Sequence, residues 1–354
     1  MQKILITTGG TGGHVIPAKI IKEHLKDRYE IFISTDLRGL RYLSNNREKT
    51  IVIDTPRFDL SIFLPHKIIK LIYSIFKIFL FLKAKKIRKI ISIGGYMSLP
   101  VVISAKILKL SIFLVEPNMV LGRGNRFFLN FSKKIFCYSD KLLNFPKKYS
   151  NKIELIKPLV FKSFYQIKKS SEKNKKFCFL IFGGSQGAKI FDELILKTMI
   201  NISKKFPIKV IHQTSERNIQ RLKDFYDSNE IENEIFDFEE KFINLINMCD
   251  LCITRAGATS LAEISILNKP FIAIPLPTAK DNHQMKNAQY YEKKGCCWVL
   301  DQTILTKEKM LDIMMNLLKD KSVLTNKKLN LEKLNYDNSW NDINQKLQKI
   351  INEN

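Results

Sequence analysis

The sequence predicts an α/β protein built from two similar parallel-sheet halves. Three observations carry this reading. The chain has 354 residues, enough for about two domains at roughly 150 residues each. Short apolar runs each end in a cluster of glycines, and the first of these clusters resembles the third.

A chain of this length gives each half a core of its own and excludes a small disulfide-stapled scaffold. With 45% hydrophobic and 26% charged residues it has the composition of a globular protein, not of a disordered one. Six cysteines, at 137, 178, 249, 252, 296 and 297, are too few for a disulfide framework here, and several lie inside apolar runs. A reducing compartment is expected. Cys249 and Cys252 form a C-x-x-C with no second pair and no histidine at finger spacing, so they read as buried small hydrophobes, not zinc ligands. The opening MQKILITTGGTGG has an apolar stretch too short for a signal-peptide core, and no export signal is expected.

The chain holds only 14 glycines, where the usual ~7% would give about 25. Nine of them fall in three clusters: Gly9, Gly10, Gly12, Gly13; Gly94, Gly95; and Gly183, Gly184, Gly187. They follow the runs KILIT, IISI and FCFLIF, and the first and third lead into helix-like segments. That is the strand, tight turn and helix of a parallel sheet.

Thr8-Gly9-Gly10-Thr11-Gly12-Gly13 parallels Phe182-Gly183-Gly184-Ser185-Gln186-Gly187, which makes the chain two related halves. A lysine-rich stretch without periodicity places the linker at 158–176. The predicted domains are 1–158 and 159–335, with a closing helix at about 336–354 that packs back on the first. EKMLDIMMNLLKD and SWNDINQKLQKIIN alternate at helical spacing and read as closing helices.

A net charge of +25 draws the chain to polyanions: nucleic acid, an anionic membrane face or a phosphorylated substrate. From Ile68 to Leu82 the sequence is apolar except for Lys70, Tyr73, Ser74 and Lys77, and Lys83, Lys85, Lys86, Arg88 and Lys89 follow. The run falls short of the ~20 uninterrupted apolar residues of a spanning helix, and internal lysines are costly in lipid. Two readings can coexist: a core helix with a solvated end, and an amphipathic helix lying on an anionic bilayer.

A glycine turn at the carboxyl end of a strand, followed by a helix N-terminus, favours phosphate. Val15 stands where G-x-G-x-x-G needs its third glycine, and no G-x-x-x-x-G-K-[ST] occurs, so neither a standard dinucleotide fingerprint nor an ATPase loop is present. Asp36, ending EIFISTD, keeps a nicotinamide-dependent oxidoreductase as a minor alternative through the ribose it would hold. His14 follows the first loop at the mouth of the predicted crevice, suited to accept a proton from a hydroxyl nucleophile or to bind an anion.

In the second half LCIT reads as a strand, RAGA as a turn and TSLAE as the start of a helix. Thr259 or Ser260 would cap it and bind phosphate, and Glu263 one turn in either accepts both hydroxyls of a ribose or merely favours the helix dipole. Asp281, Asn282, His283 and Gln284 form a polar loop suited to sugar hydroxyls, or an ordinary loop with a cap. No Asp-x-Asp occurs to hold a divalent metal on a diphosphate, so helix N-termini and hydroxyls must stabilise a leaving diphosphate. No motif marks the aromatic and arginine-bearing surface that nucleic-acid binding needs.

GGTGGH (9–14), GGYMSLP (94–100), GGSQGA (183–188), TRAGATSLAE (254–263) and KDNHQMKNA (280–288) occur in this order. Together they resemble the MurG family of N-acetylglucosaminyltransferases over most of the chain. The resemblance implies a GT-B fold, two Rossmann-like domains facing a cleft, with donor nucleotide bound by the second and a lipid acceptor approached by the first. It implies inverting transfer of GlcNAc from UDP-GlcNAc to undecaprenyl-diphospho-muramoyl-pentapeptide (lipid I), giving lipid II, with no cofactor and no tightly held metal. The alternative is the same fold serving another lipid or sugar acceptor.

The implied roles follow the motifs. Thr11, Gly12 and Gly13 contact donor and acceptor phosphates, His14 is the base, and Asn118 lies near the transferred sugar. Ser185 holds the UDP phosphates. Ala258, Thr259, Ser260, Leu261, Ala262 and Glu263 bind nucleotide, with Glu263 on the ribose, and Gln284 binds GlcNAc hydroxyls. The implied location is peripheral, on the cytoplasmic face of the bacterial inner membrane, reached through about Ile68 to Lys89.

Three departures stand out. Val115-Glu116-Pro117-Asn118 replaces H-E-Q-N, and Lys157-Pro158-Leu159-Val160 replaces an N-P-V-R that normally supplies a donor-contacting arginine, with Lys162 nearby. Leu99 replaces a glycine in the second loop. The uracil-reading segment is expected around 236–240.

Overall fold

The computed structural model describes residues 1–43, 49–56, 64–167, 176–184 and 189–353. The chain divides into two compact units, Met1–Lys162 with Ser339–Asn354, and Ser163–Asn338.

The first unit carries strands β1 (Gln2–Thr7), β2 (Tyr29–Thr35), β3 (Thr50–Val52), β4 (Lys89–Ser92), β5 (Ser111–Glu116), β6 (Lys134–Cys137) and β7 (Ile153–Leu155). They form one sheet in the order β3-β2-β1-β4-β5-β6-β7, every pair parallel. Helices cover both faces, which is why the strands are apolar runs and not alternating ones. On one face Leu5, Phe32, Ile90, Ile112 and Leu114 pack with Ile78 and Leu82 of helix Leu64–Ala84 and with Val101, Val102 and Ala105 of helix Leu99–Ile107.

Helix Gly12–Leu25 lies beside the C-terminal helix Trp340–Glu353. The Trp340 ring stacks on His24 with centroids 3.5 Å apart, and Gln348 Nε2 donates to the His24 carbonyl at 3.3 Å. Burial pushes the His24 imidazole down to about 3.

The second unit carries β8 (Phe177–Phe182), β9 (Ile208–Gln213), β10 (Glu232–Phe236), β11 (Leu251–Thr254), β12 (Phe271–Ala273) and β13 (Cys297–Val299). Their order is β10-β9-β8-β11-β12-β13, again all parallel. Phe179, Ile181, Val210, Ile253 and Ile272 pack with Met199, Ile202, Met310 and Met314 in its core. In each sheet the order reverses once, between β1 and β4 and between β8 and β11. At such a switch point the loops leaving the two carboxyl ends diverge to opposite faces and open a ligand-sized crevice.

The three glycine clusters follow β1, β4 and β8, as the apolar runs predict. Strand β12 stops at Ala273, ahead of Pro275 and Pro277, which offer no N–H to a ladder. A helix unmarked by the two closing patterns, Lys321–Asn335, stands between Lys307–Lys319 and Trp340–Glu353. All six cysteines are buried free thiols, with the Cys249 and Cys252 sulfurs 3.4 Å apart. Within the expected linker the division falls between Lys162 and Ser163, and 168–175 lie outside the described residues.

Candidate active site

In the first unit β1 runs into Thr8, Gly9 and Gly10, and helix Gly12–Leu25 begins directly after an extended Thr11 (φ −121°, ψ 166°). The first N–H groups of a helix have no intrahelical acceptor, and here they belong to Gly12 and Gly13. Thr11 and His14 are half-buried, Gly12 buried and Gly13 exposed, so the four residues form one turn at the switch point. Gly10 has φ +86°, a left-handed value that a side chain would strain. A Cβ on Gly9 would stand 3.0 Å from Asp36 Oδ1 and 3.1 Å from Met97 Cγ.

Asp36 is committed to this turn and not to a ribose. Its Oδ1 accepts from Gly10 N at 2.8 Å and Gly39 N at 2.9 Å, and its Oδ2 accepts from Arg38 Nε at 2.9 Å. Burial alone would raise its titration, but the two amides and Arg38 outweigh that and hold it below the ordinary carboxylate range. The oxidoreductase alternative loses its one residue-level support.

Asn118 sits in the loop after β5, half-buried, and is held by Glu116, a carboxylate only 3% exposed. Glu116 Oε1 accepts from Asn118 N at 3.2 Å and Asn118 Nδ2 at 3.1 Å. Its Oε2 accepts from Gly122 N at 2.8 Å and Asn125 Nδ2 at 3.0 Å. Desolvation raises the Glu116 titration, and these four donors oppose it. Next to them Gly124 packs on the second glycine loop so closely that a Cβ there would lie 2.9 Å from Gly95 N.

In the second unit helix Ala258–Ile266 starts at the carboxyl end of β11. Its cap is Gly257, with no side-chain capping bond, so Thr259 and Ser260 are not caps but lie inside the first turn. The extended backbone of Gly257 (φ −66°, ψ 136°) takes the cap position two and three residues before the hydroxyls. Gly184 (φ +73°) comes within 3.7 Å of Ser260 Oγ, measured from an added Cβ, so the third glycine loop and this helix start share the switch point. Ser185 lies outside the described residues.

Glu263, one turn further, has no hydrogen-bond or ion-pair partner among the described residues. Its side chain keeps a partly accessible edge, yet desolvation of the carboxyl pushes its titration up to about 8. A desolvated carboxyl without donors of its own, set one turn into a helix at the switch point, is suited to accept hydrogen bonds from a ligand.

Gln284 opens helix His283–Glu292, behind two consecutive left-handed residues, Asp281 (φ 53°) and Asn282 (φ 54°). Its Oε1 accepts from Ala256 N at 3.2 Å and Leu276 N at 3.0 Å, while Asn287 Nδ2 donates to Ala256 O at 3.1 Å. The polar segment thus braces the Arg255–Gly257 turn through the Gln284 amide oxygen and the Asn287 amide nitrogen. Arg255 is itself buried, its Nη1 donating to Ile274 O at 2.9 Å and Gln302 Oε1 at 2.6 Å. Gln213 ties Gly183 N (3.1 Å) to Asp237 O (3.0 Å).

Asp36, Glu116, Arg255, Gln213 and Asn287 act behind the presented groups and were not singled out from sequence as doing so. Glu116 carried a signal, a charge ending the apolar strand SIFLVE. The others look like ordinary loop polars until their partners are seen.

Helix Leu64–Ala84 presents two faces. Ser74, Ile78 and Leu82 are buried against helix Leu99–Ile107, with Ser104 Oγ donating to Ile75 O at 2.8 Å. Ile69, Ile72, Tyr73, Phe76 and Leu80 form an exposed apolar stripe, with Phe76 58% accessible, and Lys77, Lys83, Lys85, Lys86 and Arg88 stand exposed around and after it. The expectation of a core helix with a solvated end holds for the buried face, and the exposed face is amphipathic as the sequence predicts. Among the described residues no helix is long and apolar enough to cross a membrane.

Residues 4–137 match the model of the glycosyltransferase family 28 N-terminal domain, and residues 178–343 that of the family 28 C-terminal domain. With two Rossmann-like parallel sheets, this defines a glycosyltransferase of GT-B fold. A protein of Pelagibacter ubique named UDP-N-acetylglucosamine--N-acetylmuramyl-(pentapeptide) pyrophosphoryl-undecaprenol N-acetylglucosamine transferase is 43% identical, over 100% of this chain and 99% of its own. A Rickettsia bellii protein of the same name is 33% identical over 94% of this chain and 95% of its own. The crystal structure of Acinetobacter baumannii MurG superposes with a TM-score of 0.79 at 21% identity, covering 100% of both chains. The chain belongs to the MurG family of N-acetylglucosaminyltransferases.

Proposed function

We propose that this chain transfers GlcNAc from UDP-GlcNAc to the C4 hydroxyl of the muramoyl sugar of undecaprenyl-diphospho-muramoyl-pentapeptide, forming lipid II with inversion. The observation that carries the reading is 43% identity along the whole chain to a transferase whose name states that donor and acceptor. The geometry supports it: each sheet opens a glycine turn and a helix N-terminus at its switch point.

In this reading the second unit holds the donor. The start of helix Ala258–Ile266, with Thr259 and Ser260 in its first turn, faces the diphosphate together with the loop of Gly184 and Ser185. Glu263 accepts the ribose hydroxyls and the Gln284 amide donates to the GlcNAc. The first unit takes the acceptor, with Thr11, Gly12 and Gly13 on phosphate and Asn118, fixed by Glu116, beside the transferred sugar. His14 takes the proton of the C4 hydroxyl as its oxygen bonds to the anomeric carbon. The bond from that carbon to the phosphate oxygen breaks, and UDP leaves onto helix dipoles and hydroxyls.

Membrane association is part of the proposal. The stripe of Ile69, Ile72, Phe76 and Leu80 enters the acyl boundary while Lys77, Lys83, Lys85 and Lys86 meet anionic headgroups, which seats the protein peripherally on the cytoplasmic face of the inner membrane. Calorimetry with UDP-GlcNAc tests the donor half: one-site binding lost in Glu263→Ala is expected, and unchanged affinity in that variant removes the ribose role. Sedimentation with anionic vesicles tests the membrane half, and a protein that stays in solution contradicts it.

A further inference from the structure

On helix Gly12–Leu25, Lys19, Lys22 and Lys26 lie at i, i+3 and i+7, one side of the helix, and all three line a cavity of about 290 Å³. Ile33, Leu43, Thr50 and Phe161 form its less polar wall, and Glu23 is its one acidic lining residue among the described residues. The Glu23 carboxylate is engaged, its Oε2 accepting from Lys162 N at 3.3 Å. Lys19 stands over the Phe161 ring, 5.8 Å from its centre. Neither Lys22 nor Lys26 has an ion-pair partner among the described residues. Lys49 is also close, but its ammonium pairs with Glu30 Oε1 at 3.2 Å.

Like charges three and four residues apart on a helix repel one another, and a concave, partly apolar wall screens that repulsion less than open water does. Burial first, then repulsion from Lys49, Lys19 and Lys26, lowers the Lys22 titration. An anion with more than one charge, seated among the three ammonium groups, relieves this arrangement. The cavity sits at the small end of the ~300–1,000 Å³ typical of ligand pockets, enough for a phosphate chain with a small ring against Phe161.

We propose that this cavity is a second anion site, separate from the nucleotide-binding turns, for a small ligand carrying two or more phosphate charges.

A lipid headgroup and a soluble phosphate compound share this chemistry, and the sheet favours the soluble source. Neighbouring residues of a strand point to opposite faces. Phe32 packs on the face covered by helix Leu64–Ala84, and Ile33 lines the cavity on the other. With the Ile69–Leu80 stripe against a bilayer, the cavity opens on the opposite side of the sheet from the membrane.

The test is calorimetric titration of the full chain with inorganic tripolyphosphate in the presence of excess UDP-GlcNAc, comparing wild type with Lys22→Gln/Lys26→Gln. The expected result is one-site binding in wild type, weakened at least about tenfold in the variant, since charge-assisted contacts contribute more than neutral ones. UDP-GlcNAc affinity and vesicle binding stay unchanged. Lysine acetylation read by mass spectrometry supplies a readout without any substitution: tripolyphosphate protects Lys19, Lys22 and Lys26 but not the exposed Lys309. Absent binding, equal binding by the variant, or uniform acetylation overturns the proposal. Loss of phosphatidylglycerol-vesicle binding in the variant, with no tripolyphosphate effect, moves the site to a lipid headgroup and overturns the soluble assignment.

Discussion

Replacing Glu263 by glutamine separates what the residue does for the fold from what it does for the ligand. The Glu263 carboxyl titrates near 8 in the folded chain against an ordinary 4.5, because it is desolvated without a donor. A group whose folded titration is raised binds more protons folded than unfolded, so stability is greatest below 4.5 and falls as pH rises toward 8. Each pH unit of that interval is worth about 1.4 kcal/mol. At pH 7 the ceiling is therefore about 3 kcal/mol, and the accessible edge of the carboxyl reduces it to about 1–2 kcal/mol by solvent screening.

Glu263→Gln should therefore be more stable than wild type by about 1–2 kcal/mol at pH 7 to 8, and equal to it near pH 4.5. Urea unfolding at the two pH values measures the difference, with effects of other groups cancelling between the proteins. In wild type, two ribose hydroxyls donate much more strongly to the ionised form, so UDP affinity should rise up to roughly eightfold from pH 7 to 8.5, whereas the variant should bind weakly at both. A variant no more stable than wild type, together with UDP affinity that is flat in pH, would refute the reasoning.

Glu116→Ala leaves four donors of the Asn118–Asn125 loop without their acceptor. It should cost about 1–3 kcal/mol in urea unfolding and lower kcat while leaving UDP affinity alone; a normal kcat would detach Asn118 from the transferred sugar. His14→Ala should lower kcat by about 10²–10⁴ with donor affinity kept, and wild-type turnover would discard it as the base. Reversing the charge of Lys83, Lys85 and Lys86 removes about 1 kcal/mol each at an anionic surface, so vesicle affinity should fall at least a hundredfold, and no change would leave the stripe unassigned. His24 and His212 are both pushed to about 3 by burial. Their depressed titration gives stability that is present above ~6.5 and lost as pH falls, about 2 kcal/mol each by pH 5. His24→Phe should flatten this acid loss by about half, and an unchanged pH slope would contradict it.

The parallel sheets were legible because they depend on local signals. A run such as KILIT or FCFLIF followed by glycines has few other uses in a glycine-poor chain, and the turns after β1, β4 and β8 fall where those runs end. Helix Leu64–Ala84 was legible for a different reason: its sequence is apolar on both sides, and only the packing of Ser74, Ile78 and Leu82 shows which side is core. The presented residues of the candidate site lie inside contiguous motifs and were named from them. Their supports were not, because Glu116 reaches Asn125 and Asp36 reaches Gly10 across loops whose partners are set by tertiary packing. The same holds for Thr259 and Ser260, where a hydroxyl before a helix suggests a cap and the backbone of Gly257 takes that position instead. The lysine cavity has no motif at all, only the i, i+3, i+7 spacing that any solvated helix face shares.

The central claim is the transfer itself. Purified full-length protein, incubated with UDP-GlcNAc labelled in the sugar and a lipid I analogue in vesicles, with EDTA present, should move label into a lipid-linked disaccharide, and Glu263→Ala should not. Label that stays in UDP-GlcNAc, with donor binding intact by calorimetry, would contradict the acceptor and leave a GT-B transferase acting on a different lipid or sugar.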